Sequence, residues 1–118
     1  MIGYKIRELN EKWYFEFIPK NNKNQHIGKS TYYSSEKECE EAVKNFHNLI
    51  KKEKISSVVS PFVKITQTNK GWQLEYILNN KTIFKSRDYV KKENCKKCIL
   101  SISNQIDEYT SNKIDTDY

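Results

Sequence analysis

The sequence predicts an α+β protein: two tandem β-β-β-α repeats forming one antiparallel sheet, with two helices packed on one face. Three observations carry this reading. The chain nearly repeats itself, and each copy alternates apolar and polar residues at strand spacing before changing to helical spacing. The length difference between the copies falls in an Asn-rich stretch, where a hairpin loop tolerates it. A chain of 118 residues has room for one modest core, and doubling a small unit is an economical way to build it.

Trp13 and Trp72 stand 59 residues apart, and around them YKIRELNEKWYFEFI aligns with VKITQTNKGWQLEYI. Lys5 matches Lys64, Ile6 matches Ile65, Asn10 matches Asn69, Glu16 matches Glu75 and Ile18 matches Ile77. Further on the offset drops to 56, pairing Ile27 with Ile83, Lys29 with Lys85, Ser30 with Ser86, Tyr33 with Tyr89 and Cys39 with Cys95. The three missing residues lie where KNNKNQ in the first copy shrinks to NNK in the second.

Each element follows from local pattern. Tyr4–Leu9 and Val63–Gln67 alternate as half-buried strands, and Trp13–Ile18 and Trp72–Ile77 place their large apolar residues on one face. The polar turns at Asn10–Lys12 and Asn69–Gly71 join these into hairpins. Third strands are predicted at His26–Ser30 and Thr82–Ser86. Ser35 and Glu38 have capping-box spacing and open a helix whose apolar stripe is Cys39, Ala42, Val43, Phe46, Leu49 and Ile50. The second stripe is Cys95, Cys98, Ile99, Ile102, Ile106 and Tyr109, and neither helix contains Gly or Pro. The domain layout is then one domain: repeat one over 4–53, a linker at 54–61, repeat two over 62–109 and an acidic tail at 110–118.

The order strand, aromatic strand, Asn turn, I-x-x-S-x-x-Y and helix resembles the YegP-like family of small bacterial proteins built from tandem β-β-β-α units. Its carriers are Trp13, Asn22, Ile27, Ser30 and Tyr33, and again Trp72, Asn80, Ile83, Ser86 and Tyr89. The likeness spans about residues 4–110, and it departs from the family at a longer first loop and at Asn80–Lys81, where the family has Asn-Gly. The resemblance implies a fold and brings no catalytic residues. It also implies that a short strand after each helix crosses to the other unit, with Ser57–Val59 and Ile114 as candidates.

Chemistry is sparse. CKKC at Cys95–Cys98 has the spacing of a redox pair or half a zinc site. The repeat argues against both, because Cys39 stands at the position of Cys95 and Ala42 at that of Cys98, as small buried side chains interchange. His26 is expected in a loop and His47 on the solvated side of its helix, with no Ser or Cys partner for a triad. Ser30 and Ser86 read as strand-end hydrogen bonders, and Glu16 and Glu75 as residues of the polar sheet face. No catalytic residue, metal ligand or cofactor is expected, and the protein is read as a non-enzyme.

Net charge is +6, from 19 Lys and two Arg against 15 acids. Arg scarcity weakens a nucleic-acid reading, and 12 Asn beside the Lys point to AT-rich codon bias as one source of charge. One feature resists that explanation. The second helix opens with Lys91, Lys92, Lys96 and Lys97, against its dipole, where the first opens with Glu36, Glu38, Glu40 and Glu41. With Lys85 and Arg87 just before, these residues form the predicted partner-binding patch.

Three functional readings stand. The first is a non-catalytic module that covers a macromolecular partner, such as a small phage-style anti-defence (anti-CRISPR-like) inhibitor acting on a nuclease. The second is direct nucleic-acid binding through the basic patch. The third is a housekeeping or stress-associated YegP-like protein that self-associates as a homo-oligomer. A protein partner is expected before nucleic acid. The start of the chain lacks a signal-peptide core, no apolar run reaches membrane-span length, and three Cys form no disulfide framework, so a cytoplasmic location is expected.

Overall fold

A computed structural model describes residues 3–19, 27–106 and 114–117. The first repeat contributes β1 (Gly3–Leu9), β2 (Lys12–Ile18), β3 (Gly28–Ser30) and α1 (Glu36–Glu53). The second contributes β4 (Val63–Thr68), β5 (Gly71–Leu78), β6 (Lys81–Ser86) and α2 (Lys92–Ile106), and β7 (Ile114–Asp117) follows. The six repeat strands form the expected antiparallel sheet. Its order is β4-β5-β6-β3-β2-β1-β7, so the repeats meet at β3 and β6. There Gly28 pairs with Ser86, Lys29 with Lys85 and Ser30 with Phe84. These pairs interchange under the 56-residue offset, which puts a pseudo-twofold axis through Lys29 and Lys85.

The crossing strand after the second helix is present: β7 lies along β1, with Tyr4 opposite Ile114 and Arg7 opposite Asp117. It runs parallel to β1, the one parallel pairing in the described sheet. Its counterpart fails, because residues 57–59 form turns instead of a strand. The second-copy hairpin turn is also one residue earlier than expected. Asn79 (φ 54°) and Asn80 (φ 64°) make it, with Lys81 already in β6. Positive φ at both central residues matches the twist of flanking strands, and Asn tolerates it. Asn10 and Glu11 make the same turn between β1 and β2.

Duplicated residues recur in duplicated bonds. The Ser30 hydroxyl accepts from the Phe15 N–H at 2.9 Å and donates to the Thr31 carbonyl at 2.8 Å. Ser86 does the same with Leu74 and Arg87 at 2.9 and 2.8 Å. Trp13 and Tyr33 exchange backbone bonds of 2.8 and 2.6 Å, as Trp72 and Tyr89 do at 2.7 and 2.8 Å. These contacts give both serines of the S-x-x-Y pattern the strand-end hydrogen bonds expected of them, while the tyrosines join through their backbone. Ser35 caps α1 by accepting from the Glu38 N–H at 3.1 Å, and the Glu38 carboxylate accepts from the Ser34 hydroxyl at 2.8 Å.

Both helices pack on the face formed by Tyr4, Ile6, Phe15, Phe17, Leu74, Tyr76 and Phe84. Phe46 of α1 sits at the centre, stacked on Phe84 at 4.6 Å and edge-on to Tyr76 at 5.2 Å. His47, expected in solvent, is instead buried and bonds through Nδ1 to the Tyr4 hydroxyl at 2.9 Å. A Tyr in β1 needs a polar partner once its ring is buried, and His47 supplies it from the helix above. His26 and Tyr109 lie outside the described residues.

Gly28 explains how the axis closes. A Cβ there would lie 2.4 Å from the Lys85 carbonyl oxygen and 2.7 Å from the Phe84 ring. Its counterpart under the offset is Phe84 itself, so one repeat provides the ring and the other the space. No described helix is long and apolar enough to cross a membrane.

The Tyr76 hydroxyl is buried with no hydrogen-bond partner among the described residues, and its repeat counterpart is Phe17. Tyr76→Phe should therefore stabilise the protein, by up to the ~1–3 kcal/mol that an unsatisfied buried hydroxyl costs. A raised urea midpoint would show this, and a lowered midpoint would show that the hydroxyl has a partner.

Candidate functional site

The face of the sheet away from the helices carries the charged residues that the repeat duplicates. Strand register sets them in one row: Lys64 opposite Glu75, Glu75 opposite Lys85, Lys85 opposite Lys29, Lys29 opposite Glu16, Glu16 opposite Lys5, and Lys5 opposite Asp115. From Lys64 to Lys5 the row reads the same in both directions. Between those two residues opposite charges pair at every step except the centre, where Lys29 meets Lys85 across the axis. Like charges directly opposite are destabilising in a sheet.

The two glutamates are the anchors of this row, each 7% exposed. Arg7 Nε donates to Glu16 Oε1 at 2.5 Å. Glu75 accepts from the Thr66 and Thr82 hydroxyls at 2.5 and 2.9 Å. A register shift makes the second bond possible. Tyr76 pairs with Phe84 but Ile77 pairs with Thr82, so Ile83 is passed over and packs against the core. Burial on its own would raise the Glu75 pKa. The Thr66 and Thr82 hydroxyls and the Lys64 and Lys85 charges outweigh it together and hold the carboxyl below its usual range.

Over the axis lies an open groove of about 390 Å³, lined by Lys29, Tyr32, Gln73, Lys85, Arg87 and Asp88 among others. Tyr32 is 47% exposed and meets Tyr14 edge-on at 5.5 Å. The Lys29 ammonium lies 5.6 Å from the Tyr14 ring centre, and the Arg87 guanidinium 5.3 Å from that of Tyr89. Thr68 donates to Asp88 at 2.8 Å. The groove therefore offers three cations, of which Arg87 is engaged with Tyr89, and the exposed Tyr32 ring. The Gln73 amide already donates to the Ser86 carbonyl, and Asp88 already accepts from Thr68.

The structure divides the predicted patch. Lys85 and Arg87 line the groove on the uncovered side of the sheet. Lys91, Lys92, Lys96 and Lys97 are exposed at the start of α2, in the layer on the other side. Lys92 lies over the Trp72 ring at 5.3 Å, which gives its charge a local aromatic partner. Sequence reasoning missed Lys29 as the third groove cation. Its match to Lys85 was the available signal, since a residue duplicated beside the junction lands on the axis.

Cys39, Cys95 and Cys98 are free and buried in the core. Burial pushes the Cys39 thiol up to about 12 and Cys98 to about 11, and raises Cys95. Reactive thiols need the opposite shift. Among the described residues, no three His, Cys, Asp or Glu side chains cluster closely enough to hold a metal ion.

Two outcomes follow. Glu75 has a depressed folded-state pKa, so its contribution is complete above the ordinary value of 4.5 and is lost as pH falls through the lower folded value. Glu75→Gln should thus be less stable than the parent near neutral pH, with the gap closing below pH 4.5 in urea titrations. The three thiols should resist a disulfide reagent in the native protein and react together on unfolding. Rapid native labelling of Cys98 would show a thiol that is accessible and ionised.

No protein-family model matches this chain, and no curated protein matches it either. A solved structure does: the solution NMR structure of a UPF0339 protein from Shewanella oneidensis, with a TM-score of 0.74. The match covers 97% of this chain and 89% of that one at 13% sequence identity, so it speaks for the fold alone. The chain shares the fold of that UPF0339 protein, the YegP-like architecture that its repeats resemble.

Proposed function

We propose that the protein is a non-catalytic binding module that covers an acidic surface of a macromolecular partner with the uncovered face of its sheet. The observation that carries this is the Lys29–Lys85 step at the centre of the charge row. The two lysines meet as like charges with no acid between them, an arrangement that works against folding. Common ancestry of the repeats does not force the match, because Gly28 and Phe84, at the adjoining pair of related positions, have diverged. An anionic group from outside relieves the repulsion, and Arg87 and Gln73 stand beside it. A compact chain of this kind suits an inhibitor that masks a larger machine, including a nuclease of a defence system.

Direct nucleic-acid binding is the second reading. Exposed Tyr32 beside Lys29 and Arg87 gives a base a stacking surface and its phosphate a cation.

The test is affinity capture from the native host with and without nuclease treatment, using three proteins. These are the parent, Lys29→Gln with Lys85→Gln, and the helix variant with Glu at 91, 92, 96 and 97. The groove variant should remain folded and lose the partner, and parental capture should weaken with salt. The helix variant should still bind. Binding lost only in the helix variant would move the contact to α2, and a partner removed by nuclease would favour the second reading.

A further inference from the structure

The two ends of the sheet are not equivalent, although the repeats are. At one end β7 lies along β1 as a parallel strand. At the other, β4 is the last strand and pairs with β5. By the repeat offset, Tyr4, Ile6 and Glu8 of β1 correspond to Val63, Ile65 and Gln67 of β4. The stretch after α1 that would lie along β4 forms turns instead.

The backbone shows which groups this leaves. The Ile77 N–H donates to the Phe62 carbonyl at 2.8 Å, so by the alternation of an antiparallel ladder Lys64 and Thr66 also bond toward β5. Ile65 and Gln67 then direct their N–H and C=O groups away from the sheet. Edges like this are normally blunted by a bulge, a charged side chain or proline within the strand, or a covering segment, and of these β4 has only Lys64. Here all six residues of β4 pair in unbroken register with β5, and Pro61 lies before the strand. Val58 and Val59, 42% and 88% exposed, sit in the turn leading to it.

We infer that the β4 edge is a docking site for an extended acidic segment of a partner protein, which joins the sheet as a strand parallel to β4. The chain shows internally what such an edge accepts. On β1 the added strand is Ile-Asp-Thr-Asp, with Asp115 in register with Lys5 and Asp117 with Arg7. Lys64 is the counterpart of Lys5, so β4 presents a cation at the same register position. Main-chain hydrogen bonds give affinity in this mode, and the cation selects an acid at the second residue of the incoming strand. This site is separate from the Lys29–Lys85 groove and does not depend on it.

The probe is a synthetic peptide with the sequence of residues 113–118, titrated into the full-length protein and followed by backbone amide NMR. The expected result is saturable shifts at Ile65 and Gln67, with slowed amide exchange there. Replacing both peptide aspartates by lysine, or Lys64 by Glu in the protein, should abolish them. Lys64→Glu also sets a second acid opposite Glu75, so its own spectrum must report that it is folded, and the lysine peptide tests the charge independently of any change in the protein. Absence of shifts along β4 would overturn the inference, as would shifts confined to β1 from displacement of β7. Concentration-dependent dimerisation of the protein alone through β4 would overturn it too, by making a second copy the occupant.

Discussion

The structure depends on a junction only three residue pairs long. The edge of a lone repeat would be exposed at β3, and a unit of that size buries little surface. Pairing β3 with β6 turns two marginal half-sheets into one platform broad enough for both helices. The centre of the core forms over this seam. Phe84 of the second repeat stacks on Phe46 of the first and lies 6.0 Å from Phe15, so rings from both halves share one dry cluster. The space for Phe84 exists because residue 28 has no side chain. An added methyl group would meet a carbonyl oxygen of β6 as well as the ring, and overpacking of this kind costs ~1–3 kcal/mol.

The same junction sorts the duplicated polar residues into two kinds. Ser30 and Ser86 satisfy buried backbone groups beside the seam; they belong to folding. Glu16 and Glu75 also serve folding, since each is held by neighbouring hydroxyl or guanidinium donors and flanked by lysines in register. Lys29 and Lys85 contribute nothing comparable to each other. Their neighbours Glu16 and Glu75 are already shared with Lys5 and Lys64, so positive charge accumulates at the middle of the row. The centre of the uncovered face is where structural accounting leaves a surplus.

Much of the architecture was legible because repetition acts as an internal control. Alternation in YKI and VKI, the capping-box spacing of Ser35 and Glu38, and the apolar stripes of both helices each name their element. What stayed hidden depends on contacts between elements. His47 looks like a surface residue until β1 places a buried tyrosine beneath it. Gly28 and Phe84 look unrelated until strand pairing brings them together. The charge row was present as three matched pairs, but only register shows that they form one line and that its centre holds like charges. The direction of β7, set by the path the chain takes after α2, has no local signature.

The Gly28–Phe84 mismatch also bears on how such a chain can assemble. A repeat that paired with an identical copy of itself would place the same residue on both sides of the axis. Two phenylalanines would compete for one volume, and two glycines would leave it vacant. The mismatch is allowed because the halves are covalently joined and free to specialise. Each half is now a lock cut for the other: neither can replace its partner by a duplicate, and the chain has exchanged interchangeable subunits for a fixed left and right.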